Sequence, residues 1–113
     1  MKKQILTVLL LAILPLGLMA HSPQKVVVTY DEETSTVKIV VYHSVKDVSS
    51  HYVKSIVITV DGKEVKQFTE TKQENNETET VAVVLKNIKP GMKIEATAKC
   101  NIMGSKKGKL VTK

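Results

Sequence analysis

The sequence predicts an all-β protein, an antiparallel immunoglobulin-like β-sandwich of six to seven short strands. Apolar and polar residues alternate with period two through most of the chain after residue 20, and polar or Gly-containing turns separate these stretches. No convincing helical period accompanies them. Strict alternation indicates a strand with one buried face. Several such strands joined by short turns are typical of a sandwich.

The first three predicted strands each carry apolar residues at alternate positions. These triplets are Val26, Val28 and Tyr30; Val37, Ile39 and Val41; and Ile56, Ile58 and Val60. The second strand ends at His43, and a loop over 44–50 leads to the third. Asp61-Gly62 predicts a hairpin turn, with the return strand over 63–69.

The second half continues in the same way. Residues 70–79 are rich in Glu and Asn and predict a long exposed loop in which solvation accounts for the carboxylates. A turn at 89–91 joins two further strands, and Lys109 to Thr112 is expected to form a last edge strand. The alternate apolar residues are Val81, Val83 and Leu85, and then Met92, Ile94, Ala96 and Ala98. The same count places Cys100 on the apolar face, at the end of its strand.

Residues 1–20 have the pattern of a secretory signal peptide. Lys2 and Lys3 precede an apolar run that ends at Ala20, and the run is short for a membrane span, which needs roughly 20 apolar residues. Cleavage after Ala20 leaves one small domain, residues 21–113, which is expected to be secreted or periplasmic and free of the membrane. An uncleaved anchor is the alternative.

The charge and composition exclude several classes of function. Loss of Lys2 and Lys3 lowers the formal charge from +6 to +4, and the run Lys106-Lys107-Lys109 is interpreted as a solvated tail. With no Trp, one Phe and three Tyr, the chain lacks the interleaving of aromatic and basic residues on which nucleic-acid bases stack, so nucleic-acid binding is not supported. Paired carboxylates, a Ser-His-Asp constellation and a Gly-rich phosphate loop are also missing, so hydrolase and kinase-like functions are not supported.

Cys100 is the one cysteine of the chain. An exported small domain that depended on disulfides would carry an even number of cysteines. Three interpretations therefore stay open: a buried inert thiol, an intermolecular link, or a metal ligand. The three histidines His21, His43 and His51 lie at predicted strand ends or in turns, and they raise the possibility of a metal site.

Four segments resemble the iron-binding domain of desulfoferrodoxin and superoxide reductase. They are 21–23 (His-Ser-Pro), 42–45 (Tyr-His-Ser-Val), 51–53 (His-Tyr-Val) and 100–104 (Cys-Asn-Ile-Met-Gly). In that family, His-x-Pro opens the domain, a His-Pro-Met loop leads to a His followed by an aromatic residue, and Cys-Asn-x-His-Gly closes it. The resemblance spans nearly all of 21–113 in the same order.

The resemblance implies a mononuclear non-haem iron centre. His21, His43 and His51 would bind iron through ring nitrogens, and Cys100 would bind axially as thiolate. Met103 stands where the family has its fourth histidine. A thioether is a softer and weaker ligand for ferrous iron than imidazole, so Met103 is either a weak ligand or leaves a position open.

Other positions also depart from the family pattern. Met19-Ala20 stand where the family carries Glu-Lys before its first histidine, and cleavage after Ala20 would put the α-amine of His21 there instead. The loop from His43 to His51 is two residues longer than usual. Gly104-Ser105 lacks the aromatic residue that normally follows the glycine.

The resemblance also implies an activity, the reduction of superoxide to peroxide. Superoxide would be the small-molecule substrate, drawn in by nearby positive charge, and an exported protein would need a periplasmic electron donor, which the sequence does not identify.

Two alternatives come from other classes. Cys with His and Met partners in a β-sandwich is also the ligand set of blue-copper electron-transfer proteins, although a cupredoxin places a His and then a Met after its Cys and here only Met103 follows. The second is a metal-free module that binds partners through exposed edge strands. A homo-oligomer is compatible with the sequence.

Overall fold

Seven antiparallel strands form the part of the protein that the structure, a computed structural model, describes, namely residues 22–113. The predicted leader and His21 lie outside these residues. Within 22–113 no helix is long and apolar enough to cross a membrane. The strands are β1 (Lys25–Asp31), β2 (Thr36–Tyr42), β3 (Val53–Val60), β4 (Lys63–Thr69), β5 (Thr78–Val84), β6 (Lys93–Cys100) and β7 (Ser105–Val111).

The strands build two sheets that pack face to face. One has the order β1-β2-β5 and the other has the order β4-β3-β6-β7. The chain passes between the sheets after β2, β4 and β5, so each sheet contains strands from both halves of the sequence. The predicted antiparallel β-sandwich is confirmed, with seven strands.

The predicted alternation is confirmed in the core. Each fully buried apolar side chain contributes about 1.5–3 kcal/mol relative to an exposed one, and the inner faces of both sheets supply such residues. Those with 0% exposure are Val37, Ile39, Val41, Val53, Ile56, Ile58, Ile94, Ala96 and Ala98. Cys100 is 2% exposed, which confirms its expected place on the apolar face at the end of β6.

The hairpin predicted at Asp61-Gly62 is confirmed. Both residues have positive φ, 49° and 85°, as a two-residue turn needs to match the twist of its strands. The Asp61 carboxylate accepts a hydrogen bond from the backbone N–H of Lys93 at 2.8 Å, so the turn is also attached to β6.

The last strand is longer than predicted. β7 begins at Ser105, so Lys106, Lys107 and Lys109 belong to a strand rather than to a solvated tail. The alternation of apolar residues did not predict the whole strand, because one of its inward positions is Gly108, which has no apolar side chain. A Cβ at Gly108 would lie 2.9 Å from the carbonyl carbon of Val26, so β7 approaches β1 closely and joins the two sheets along that side.

The segment 70–79 is mostly exposed, as predicted, but two of its side chains are buried and its end belongs to a strand. Gln73 is 0% exposed, Glu79 is 5% exposed, and β5 already begins at Thr78. The backbone N–H of Glu74 donates to the Glu79 carboxylate at 2.7 Å. Solvation therefore does not account for this carboxylate, which is held inside the loop.

Burial raises the pKa of Glu79 above its ordinary value of 4.5; the Glu74 N–H lowers it, and the negative charges of Glu70 and Glu74 raise it further. The folded protein thus binds this proton more tightly than the unfolded chain, and the free energy of unfolding contributed by Glu79 falls as the pH rises above 4.5.

We expect Glu79→Gln, which keeps a hydrogen-bond acceptor, to be more stable than wild type at pH 7 but not at pH 4. Chemical denaturation at several pH values checks this. Glu77→Gln, an exposed change in the same loop, should leave the pH profile unchanged, and equal profiles for all three proteins would contradict the assignment.

Candidate metal centre

His43 follows directly after β2 and is held in the interior. Its side chain is 1% exposed, and its backbone N–H donates to the carbonyl of Glu77 at 2.8 Å. The loop that carries it onward is fixed by Val45, whose N–H donates to the carbonyl of Asn76 at 2.8 Å. The end of β2 is therefore attached to the start of β5.

Gln73 determines which ring nitrogen of His43 is available to a metal. The Gln73 Nε2 group donates to the carbonyls of His43 at 2.7 Å and Asn75 at 2.9 Å, so Oε1 is the acceptor end of the amide. That Oε1 lies 2.8 Å from His43 Nδ1 and also accepts the Val53 N–H at 3.2 Å. His43 Nδ1 must therefore carry the proton, which makes Nε2 the ring nitrogen whose lone pair could bind a metal. Metal-bound histidines have this arrangement.

His51 is positioned by a turn built on Asp47. The Asp47 carboxylate accepts the Ser49 N–H at 2.9 Å, and the Asp47 carbonyl accepts the N–H of His51 at 3.0 Å. This turn brings the His51 ring to the His43 ring, with centroids 4.7 Å apart and planes at 90°. The two histidines that flank the 44–50 loop thus lie in contact, although eight positions separate them in the sequence.

Asn101 connects the His51 segment to the Cys100 segment. Its side-chain oxygen accepts the Tyr52 N–H at 2.9 Å, and its side-chain nitrogen donates to the carbonyl of Ser50 at 3.0 Å. Its backbone N–H donates to the carbonyl of Tyr52 at 3.1 Å. These three hydrogen bonds, called the Asn101 clamp below, fix His51 relative to Cys100.

Cys100 ends β6 and begins a tight turn. Its N–H donates to the carbonyl of Gly104 at 3.0 Å, and its Sγ accepts the N–H of Ile102 at 3.4 Å. Gly104 has φ 87°, and a Cβ there would collide with the side chain of Ser22. Glycine is therefore required, both by conformation and by the close approach of the chain at Ser22.

The structure brings three of the five predicted ligands together. One ligand atom each from His43, His51 and Cys100 lies within 4.8 Å of the other two. Nitrogen and sulfur ligands bind zinc, a representative first-row metal, at about 2.1 and 2.3 Å, so two of them on opposite sides of one ion are about 4.4 Å apart. The observed bound of 4.8 Å is slightly wider than that limit, so small side-chain movements would bring the three atoms onto one ion. The donor set of two imidazoles and one thiolate fits a first-row transition metal.

The structure does not place the other two predicted ligands, His21 and Met103, in this group. His21 lies outside the described residues. Met103 lies in the turn after Cys100, and its side chain is 46% exposed. Metal ligation by these two residues stays a prediction, as does ligation by the three residues that the structure groups together.

Two residues of the site were missed by sequence reasoning. Gln73 lies in a polar, Glu-rich loop and gave no signal, because its burial depends on contacts with residues 20 and 30 positions away. Asn101 did carry a signal, since it directly follows the cysteine in the motif, but its part in holding the His51 segment could not be inferred.

Comparisons with known proteins identify the fold. No family model matches the chain, and no curated protein matches it significantly. Solved structures do match. A superoxide reductase in the oxidised state is similar with a TM-score of 0.58 and 20% identity over 81% of this chain and 90% of its own. A hypothetical protein from Pyrococcus horikoshii OT3 is similar with a TM-score of 0.60 and 19% identity, over 81% of this chain and 89% of its own. The superoxide reductase from Giardia intestinalis has a TM-score of 0.53 and 16% identity, over 80% of this chain and 96% of its own. The domain therefore has the superoxide reductase fold, as the resemblance implied.

We expect Gln73→Met, which matches the shape of Gln73 but has no amide oxygen, to weaken metal binding by about 10–100-fold, because His43 loses the partner that fixes its tautomer. Competition with a chromophoric chelator measures this affinity. Gln73→Glu keeps an acceptor for His43 Nδ1 and should retain more of the affinity, while Gln67→Met on exposed β4 should have none of these effects. Equal affinities for Gln73→Met and Gln67→Met would show that Gln73 does not orient the ligand.

Proposed function

We propose that this chain is a divergent member of the superoxide reductase family, an exported protein that holds one non-haem iron and reduces superoxide to peroxide. The observation that carries the proposal is the grouping of His43, His51 and Cys100 within 4.8 Å in a domain with the superoxide reductase fold. The Asn101 clamp and the Gln73 amide support it, since they orient these side chains before any ion binds.

The residues around the sulfur favour a thiolate ligand. The Ile102 N–H points at Cys100 Sγ from 3.4 Å, and such a donor stabilises negative charge on sulfur. With 2% exposure, Cys100 is protected from the oxidants that attack exposed thiolates. Bound iron would supply the one-electron reduction that converts superoxide, with two protons, to hydrogen peroxide.

His21 and Met103 complete the proposed ligand set. Ser22, the residue after His21, packs against Gly104 in the turn that follows Cys100, which supports a place for His21 beside the site. Cleavage after Ala20 would add the α-amine of His21 as a positive charge to attract the superoxide anion. Met103 is proposed as a weak ligand or as the reason for an open position.

A copper protein is the second candidate. Blue-copper sites use two histidines, one cysteine and a weak axial methionine. This chain offers the same set, because Met103 lies on the same turn as Cys100. A copper centre would make the protein an electron carrier rather than a superoxide reductase. Metal analysis separates the two.

We expect the protein, isolated from its exported fraction and oxidised, to contain one iron per chain and to show a sulfur-to-ferric charge-transfer band in the visible spectrum. Cys100→Ser should lose that band while keeping the fold, since the serine hydroxyl can accept the Ile102 N–H in place of the sulfur. Zinc-loaded protein is the control and should not consume superoxide. An intense band with copper supports the electron carrier, and the absence of any bound metal from wild type supports the metal-free module.

We expect Met103→His to bind ferrous iron more tightly by about ten-fold, because imidazole is a better ligand than a thioether for this ion. Superoxide consumption by the iron-loaded protein should rise with it. Met103→Leu, which removes the sulfur without adding a ligand, is the matched control. If Met103→His and Met103→Leu bind iron equally well, position 103 does not face the metal.

A further inference from the structure

A carboxylate occupies an inward position of β5. The buried residues of this strand are Glu79 and Val81, and Glu79 pairs across the sheet with Val41, two residues before His43. The alternation of the strand would place an apolar side chain here, and burial raises the pKa of Glu79. Because a buried charge costs stability unless it is well paired, this carboxylate is expected to serve something other than the core.

The Glu79 carboxylate is attached to the loop that carries Gln73. Its Oε1 accepts the backbone N–H of Glu74 at 2.7 Å, and Glu74 directly follows Gln73 in the chain. The Glu74 side chain is held in turn, because its Oε1 accepts the hydroxyl of Thr78 at 3.2 Å. The peptide that joins Gln73 to Glu74 is therefore attached to the start of β5.

Other contacts attach the same loop to the segment after His43. The Gln73 N–H donates to the carbonyl of Val48 at 3.1 Å. The Asn76 side-chain amide donates to the carbonyls of Val45 and Lys46 at 3.0 and 2.9 Å. These partners are themselves loop residues and can move with the loop. The Glu79 carboxylate adds an attachment to a paired strand, at the residue that follows Gln73.

The position of Gln73 matters because its side chain orients His43. Gln73 Oε1 lies 2.8 Å from His43 Nδ1, and Gln73 Nε2 donates to the His43 carbonyl at 2.7 Å. Hydrogen bonds from nitrogen extend to about 3.2 Å, so a displacement of Gln73 by about 1 Å would break the contact with the ring. Glu79 thus reaches the His43 ring in two steps, through the Glu74 N–H and then through the Gln73 amide.

We propose that Glu79 is a positioning residue of the metal centre, whose carboxylate anchors the peptide between Gln73 and Glu74 and thereby keeps the His43 ring oriented to bind an ion. The inference rests on the metal site of the proposed function and is independent of its reaction. Loss of the anchor leaves every ligand atom in the chain but lets the His43 ring turn. An ion then binds more weakly, although the fold is retained.

The first test measures binding of ferrous iron under anaerobic conditions, by competition with a chromophoric chelator. Glu79→Met is similar in length but has no acceptor, and we expect it to weaken binding about ten-fold, the lower end of the range for residues that orient metal ligands. Glu79→Gln keeps an acceptor for the Glu74 N–H and should retain the wild-type affinity. Glu77→Met, an exposed change in the same loop, is the matched control and should have no effect.

A double-mutant cycle tests the route through Gln73. In Gln73→Met the amide that transmits the effect is gone, so adding Glu79→Met should weaken binding no further, whereas two independent losses would add. Chemical denaturation at pH 7 separates positioning from general stability. Glu79→Met should unfold near the wild-type denaturant concentration, because Glu74 is exposed and water can replace the carboxylate at its N–H.

A second readout needs no metal. The His43 side chain is 1% exposed, so its Nδ1 proton, held by Gln73 Oε1, should exchange slowly with water and be visible by NMR in the metal-free protein. In Glu79→Met this signal should be lost to exchange. In Glu79→Gln and Glu77→Met it should persist.

Several results would overturn the proposal. Wild-type iron affinity and a persistent Nδ1 signal in Glu79→Met would show that the carboxylate does not anchor Gln73. Equal losses in Glu79→Gln and Glu79→Met would mean that the acceptor is not what matters. Additive losses in the cycle would exclude the route through Gln73. If Glu79→Met does not fold, Glu79→Asp, whose carboxylate is one methylene shorter, takes its place with the same expected losses.

Failure of the proposed function would be recognised separately. Wild-type protein that binds no iron, or that binds iron without consuming superoxide, rejects the proposed function. The NMR comparison of the metal-free proteins then decides the role of Glu79 by itself. Wild-type protein that binds iron and consumes superoxide, together with unchanged iron affinity and Nδ1 exchange in Glu79→Met, rejects the positioning role alone.

Discussion

The buried amide of Gln73 is the interaction on which the site depends. It makes four hydrogen bonds: Oε1 accepts two and Nε2 donates two. These bonds link the end of β2, the start of β3 and the loop before β5. A buried amide left without partners costs about 1–3 kcal/mol per group. The same contacts that avoid this penalty also fix the His43 ring, so local stability and ligand orientation have one physical cause.

The sandwich topology explains why the remaining ligands meet. His43 follows a strand of one sheet, whereas His51 precedes and Cys100 ends neighbouring strands of the other. Antiparallel pairing of β3 with β6 places the start of one beside the end of the other, at the pair Val53 and Cys100. The buried aliphatic core thus holds both sheets at a separation that lets side chains from their ends share one space.

Sequence reasoning succeeded where the physics is local. Alternating apolar residues predicted most strands and the inward direction of Cys100, and a turn such as Asp61-Gly62 depends only on its own two residues. It failed at Gln73 and Glu79, because their burial comes from contacts between distant loops, and at the start of β7, where Gly108 contributes no apolar side chain. The grouping of His43, His51 and Cys100 followed from the family resemblance; strand patterns alone left it open.

The Asn101 clamp has a consequence for how an ion would leave the site. Its three hydrogen bonds join residues 50–52 to the turn after Cys100, and the Gln73 amide joins His43 to the adjacent Val53. All three side chains are thus attached to the start of β3, so a local opening at this one end of the sandwich would release an ion while the aliphatic core stays intact. The residence time of the metal is thereby decoupled from the rate at which the whole domain unfolds.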